Sequence, residues 1–181
     1  MTSPSDDERR QRQAVRQALT TGAESLLAEQ STDEGSQRSL QERMGTLGFE
    51  GEAQKALDLL PLVLVAWSDG EIQDQERENI LEVLQLRGLE GTAAFTVVQA
   101  LLEKKPADAY MQVALQLLRE LVADRSDGGA SVVELCIDVA VAAGSFGTFD
   151  PVSPAERKAI SEIADKLGPQ ATKEFRRRLD L

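Results

Sequence analysis

The residues with the clearest chemical potential lie in one short run, Ser68-Asp69-Gly70-Glu71-Ile72-Gln73-Asp74-Gln75-Glu76. Within it, Asp69-Gly70-x-Ile72-x-x-x-Glu76 reproduces the second half of a calcium-binding EF-hand loop: Asp69 falls at its fifth position, Gly70 at its sixth, Ile72 at its eighth and Glu76 at its twelfth. The first half fails, because the first and third positions are Val65 and Trp67, which supply no side-chain oxygen. What remains is a set of carboxylates, Asp69, Glu71, Asp74 and Glu76, around a tight turn. Hard oxygen ligands of this kind suit calcium, magnesium or manganese rather than soft metals.

Helix-capping chemistry offers a second account of the same acids. Ser153-Pro154-Ala155-Glu156 fits a capping box with proline at the first helical position, in which Glu156 satisfies an orphan backbone amide. Glu76 takes the same third helical position, where an acid also complements the helix dipole. Capping explains Asp69 least, since it precedes the helix, although an aspartate–glycine pair is ordinary turn chemistry.

The rest of the composition narrows the chemistry. The 181 residues contain no histidine, which removes Ser-His-Asp and Cys-His catalysis and the usual zinc sites. The single cysteine, Cys136, lies in an apolar stretch and reads as a buried structural thiol. A formal charge of −11 argues against a nucleic-acid backbone as partner and favours cations or basic protein surfaces. Gly144-Ser145-Phe146-Gly147 lacks the Gly-Lys-Ser/Thr of a phosphate loop, and the basic end at Lys173, Arg176, Arg177 and Arg178 reads as a solvated helix C-terminus. The polar, acidic start is unlike a secretory signal, and the longest charge-free stretch, Gly91 to Leu102, is shorter than the roughly 20 apolar residues that span a bilayer. The expected location is the cytoplasm.

These groups must be positioned by helices. Asp6 to Gln30 reads as a charged helix with few apolar anchors, interrupted at Gly22 and so expected to dock weakly. Ser31 to Ser36 reads as a polar linker, and Leu40 to Leu47 as a short helix. The resulting division is an N-terminal extension over residues 1–35, partly helical or disordered, and a helical domain over residues 36–181. Ala53 to Trp67 should be the central buried helix, with Pro61 either kinking it or marking where its regular part begins. Trp67 at its end reads as core. Further helices are expected over Gln75–Arg87, Thr92–Glu103, Pro106–Ala123, Ser131–Ala143, Pro154–Leu167 and Pro169–Leu179, with no convincing strand.

Two of these helices share a pattern. Glu76-Arg77, then Ile80, Val83, Leu84 and Gly88, matches Glu156-Arg157, then Ile160, Ile163, Ala164 and Gly168, at constant offset. Each copy follows an apolar helix and ends in a glycine placed for a left-handed C-cap. The expectation is an all-α compact bundle of two pseudo-symmetric helix–acidic turn–helix repeats.

From about Ala53 to Leu179 the chain resembles the tellurite-resistance TerB-like family, related to the N-terminal domain of the DjlA co-chaperone. The residues that carry the resemblance are Ala66-Trp67-Ser68-Asp69-Gly70-Glu71-Ile72-Gln73-Asp74-Gln75-Glu76-Arg77, with a looser copy from Asp150 to Arg157. The resemblance implies an all-helical fold, acidic clusters suspected of metal binding, and a bacterial stress or tellurite response exercised through interactions rather than catalysis. Carried over by position, the metal residues are Asp69, Asp74 and Glu76, with Asp150 and Glu156 in the second copy. Gly144 to Phe149 replaces the second Asp-Gly, which weakens that copy as a site.

The function expected is therefore a non-enzymatic interaction module with unidentified protein partners, binding a divalent cation such as calcium at its acidic turns. The rivals are a protein-binding scaffold with purely structural turns and, behind it, a carboxylate-dependent, metal-assisted hydrolase.

Overall fold

The computed structural model describes residues 6–30, 38–144 and 151–179. Among them are nine α-helices and one 3-10 helix, with no strand: α1 Asp6–Gln30, α2 Leu40–Thr46, the 3-10 helix Gly51–Leu59, α3 Leu60–Ala66, α4 Asp74–Leu86, α5 Ala93–Glu103, α6 Asp108–Ala123, α7 Ala130–Gly144, α8 Pro154–Leu167 and α9 Pro169–Arg178. The all-α reading holds.

The middle of the fold is α3. Leu60, Pro61, Leu62, Val63, Val65 and Ala66 are all buried, and α4, α5, α6, α7 and α8 all pack on this one short element. Ala53 to Trp67 is not a single α-helix, however. The chain runs as a 3-10 helix to Leu59, and Pro61 sits in the first turn of α3, where its missing N–H costs nothing. Of the two roles open to Pro61, marking the start of the regular helix is the one observed. Trp67 caps α3, is half-buried against the core, and donates its indole N–H to Leu101 O at 3.0 Å.

Against the expectation of weak docking, α1 runs unbroken through Gly22 and lies on α5 and α6, with Leu19, Ala23 and Leu26 buried in the common core. Gly22 is a contact rather than a break: a Cβ there would stand 2.8 Å from Thr46 Cγ2 and 2.9 Å from Thr46 O. Polar links reinforce the seat. Arg16 Nη1 donates to Ala100 O at 3.2 Å and to Glu103 at 2.9 Å, and Arg12 pairs with the same glutamate at 2.5 Å. Farther along, Arg43 of α2 pairs with Glu120 of α6, and Arg125 holds Asp58 of the 3-10 helix at 2.9 Å.

The C-terminal half is organised by α9, which packs on α7 and α8 through Ala171 and Phe175. Its basic end is partly engaged, since Arg178 pairs with Glu134 and Asp138 of α7. Gly168 departs from the left-handed C-cap expected of it. It ends α8 and begins the cap of α9 at once, with φ +126° and ψ −173°. Pro169 disfavours a helical residue before it, and that extended, positive-φ conformation is essentially open only to glycine. Gly88, after α4, has φ +70°, close to the left-handed value expected. Cys136 is fully buried in α7, and burial pushes its thiol up to about 12, in line with a structural role.

Candidate functional site: two acidic helix starts

The turn between α3 and α4 is closed by local bonds. Gly70 has φ +99°, a region that favours glycine, and Glu71 N–H donates to Asp69 Oδ1 at 3.2 Å. That bond gives Asp69 a structural task of the Asx-turn kind and leaves its second oxygen to solvent. Asp74 is the first residue of α4, exposed, where it complements the helix dipole. Asp69, Gly70 and Glu71 are exposed as well.

Glu76 behaves differently. It is the buried charged residue among the described residues, 7% exposed, and its Oε2 accepts the Gln73 N–H at 2.7 Å. Burial raises its carboxyl to about 7; the hydrogen bond from Gln73 opposes the shift, and the negative charges of Glu156 and Asp69 add to it. Glu156 occupies the equivalent place in α8. Its Oε2 accepts the Ser153 N–H at 2.7 Å, and its own N–H donates to Ser153 Oγ at 3.2 Å, completing a capping box. Glu156 is half-buried. The fold thus brings the starts of α4 and α8 close enough for their glutamates to feel each other, with Asp69 as the third charge.

A sequence signal for this burial existed. Glu76, Ile80 and Leu84 recur every fourth residue, as do Glu156, Ile160 and Ala164, so both glutamates extend a core-facing stripe by one turn. Reading them only as caps misses that consequence. Ser68 Oγ, just before the turn, is buried without a hydrogen-bond partner among the described residues, as is Arg77 Nε just after the start of α4. Such atoms usually find a water or an ion.

Of the five residues carried over as metal ligands, Asp69, Glu76 and Glu156 are electrostatically linked, Asp74 points its role at the helix end, and Asp150 lies outside the described residues. Among the described residues no group of three or more His, Cys, Asp or Glu side chains is arranged to hold a metal ion. Nor, among them, is any helix long and apolar enough to cross a membrane.

An all-helical domain gathered around a short apolar helix, with an Asp-Gly turn leading from that helix into a glutamate-capped one, defines the class of protein. The particular family follows from the family model for tellurite resistance protein TerB, which matches residues 54–178, so the chain belongs to the TerB family. Comparison with curated proteins and with solved structures gives no match. The TerB match begins inside the 3-10 helix, so α1 and α2 lie outside it even though they share its core.

Proposed function

We propose that the chain is a non-enzymatic TerB-like interaction module in which the starts of α4 and α8 form one anionic face. That face takes a divalent cation such as calcium or, through the same charges, a basic surface on a protein partner. The observation that carries this reading is Glu76: a buried carboxyl raised to about 7 beside Glu156 and Asp69. A cation set among them would remove the repulsion and bind more strongly as Glu76 loses its proton, so affinity should rise with pH through that range. Ser68 Oγ, buried and without a partner among the described residues, is a further hard oxygen close in sequence. Asp74, exposed at the start of α4, and Asp150, carried over by sequence position alone, belong to the proposed set.

A catalytic role has less support. The chain has no histidine, and its one thiol is buried and held protonated. In this reading the module acts in a bacterial stress or tellurite response, in the cytoplasm and through protein partners; the TerB description of its family supports the tellurite part.

The test is an amide NMR titration of the full chain with calcium, magnesium and manganese, at pH values on both sides of 7. Saturable shifts confined to Ser68–Glu76 and Asp150–Glu156, strengthening with pH, support the cation site. Absence of site-specific shifts at millimolar metal removes it and leaves a scaffold with purely structural turns.

A further inference from the structure

A recess opens between α1 and the connection from α5 to α6. Its volume is about 530 Å³, within the range of roughly 300–1,000 Å³ that small-molecule sites occupy. Leu19, Leu101 and Tyr110 supply apolar wall, and Arg16, Lys104 and Lys105 supply the charge. Among the described residues no aspartate or glutamate lines it, in a chain that carries 31 acids against 20 bases. We propose that this recess binds a small amphipathic anion, a molecule with an apolar body and a carboxylate head.

The charges around it are unequal in availability. Arg16 shares Glu103 with Arg12, and Arg12 lies 3.9 Å from Glu8, so the arginines are largely neutralised by their own neighbours. Lys104 and Lys105 are exposed and have no carboxylate partner among the described residues. Lysines at a helix C-terminus ordinarily complement its free carbonyls. Here two carbonyls near that end have donors from elsewhere: Ala100 O takes Arg16, and Leu101 O takes the Trp67 indole. Lys104 and Lys105, with no carboxylate partner among the described residues, are available to an anion in the recess.

The apolar side is equally fixed. Tyr110 donates its hydroxyl to Leu47 O at 3.1 Å, which anchors the ring as wall. Next to it Ala107 is the N-cap of α6, whose first residue, Asp108, offsets the positive end of that helix, so the lysines carry the charge of the recess. The recess has the volume of one small molecule rather than of a track for a polypeptide. One of its walls is α1, which the TerB match does not include, so the site depends on this chain's own N-terminal helix.

The experiment is an amide NMR titration of the full chain with octanoate, with octanol as the neutral counterpart, inorganic phosphate as the head alone, and an acidic peptide. The expected result is saturable shifts over Gln13–Thr21 and Leu101–Tyr110 with octanoate, and at least about tenfold weaker binding of octanol and phosphate. The exposed double variant K104E/K105E should lose about tenfold or more in affinity. Q17W, which fills the recess from an exposed position, should abolish binding while helical circular dichroism is unchanged. Equal binding of octanol and octanoate, unchanged affinity in K104E/K105E, shifts elsewhere, or a response to the acidic peptide alone would each overturn the proposal.

Discussion

The starts of α4 and α8 use one device in two environments. Each places a glutamate at the third helical position and bonds its carboxylate to the N–H three residues before at 2.7 Å. At α8 the cap is Ser153, a short polar residue that returns the bond, and the glutamate is half-buried. At α4 the cap is Gln73, outside the set of short polar residues that cap well, and the glutamate is buried. The motif sets where the carboxylate goes; the packing around it sets what the carboxylate costs. A glutamate at the same helical position is thus half-buried at one helix and buried, with a raised pKa, at the other.

The largest effects should test whether the two helices really share one core. Ile80 and Ile160 hold matching positions and are both fully buried. Ile80→Ala and Ile160→Ala should each cost about 2–4 kcal/mol in chemical denaturation. A cost near zero for one of them would break the equivalence of the two helices.

The helix ends should separate next. Gly168→Ala forces a side chain into φ +126° and should cost about 1–3 kcal/mol, whereas Gly88→Ala at φ +70° should cost about 1 kcal/mol. Thermal melts of both variants read the difference, and a larger loss at Gly88 would contradict it.

The glutamates should then differ in pH dependence. A carboxyl raised from 4.5 to about 7 on folding binds more protons in the native state than in the unfolded chain between those values. Its contribution is therefore fully present below about 4.5 and is lost as pH rises through about 7. Glu76→Gln keeps an oxygen for the Gln73 N–H and removes the charge. It should raise stability at neutral pH by about 1–2 kcal/mol and flatten the pH profile over that window. Denaturant midpoints at several pH values decide it, and an unchanged profile would dissolve the contrast between the two starts.

The smallest effect should come from making the caps alike. Gln73→Ser gives α4 the cap that α8 has and should add about 0.5–1 kcal/mol, while Ser153→Ala should remove about 1 kcal/mol. Both fall within reach of equilibrium urea titrations.

Much of the fold was legible because its signals are local. Thr92, Ser153 and Pro154 announce helix starts by their own chemistry, and the Ile80–Leu84 and Ile160–Ala164 spacing needs no partner to be read. Gly22 was misread for the opposite reason. A glycine within a helical pattern signals either a break or a close approach, and only the position of Thr46 distinguishes them. The acids of the α3–α4 turn are visible as a group, but their division into exposed Asp69 and Asp74 and buried Glu76 depends on how α4 packs on α3, α5 and α7. Lys104 and Lys105 fall between two expected helices with no local sign of a site, because Arg16, which lines the recess with them, is more than eighty residues earlier.

The approach of Gly22 to Thr46 has a consequence for how the molecule opens. With so little room between them, α1 cannot swing on α2 as a hinged arm does; it must leave its seat or stay in it. Amide hydrogen exchange in the middle of α1 should then track that of α2, the two helices opening as one cooperative unit rather than fraying separately. A bulkier residue at position 22 would uncouple them, turning a joint release into a loose end.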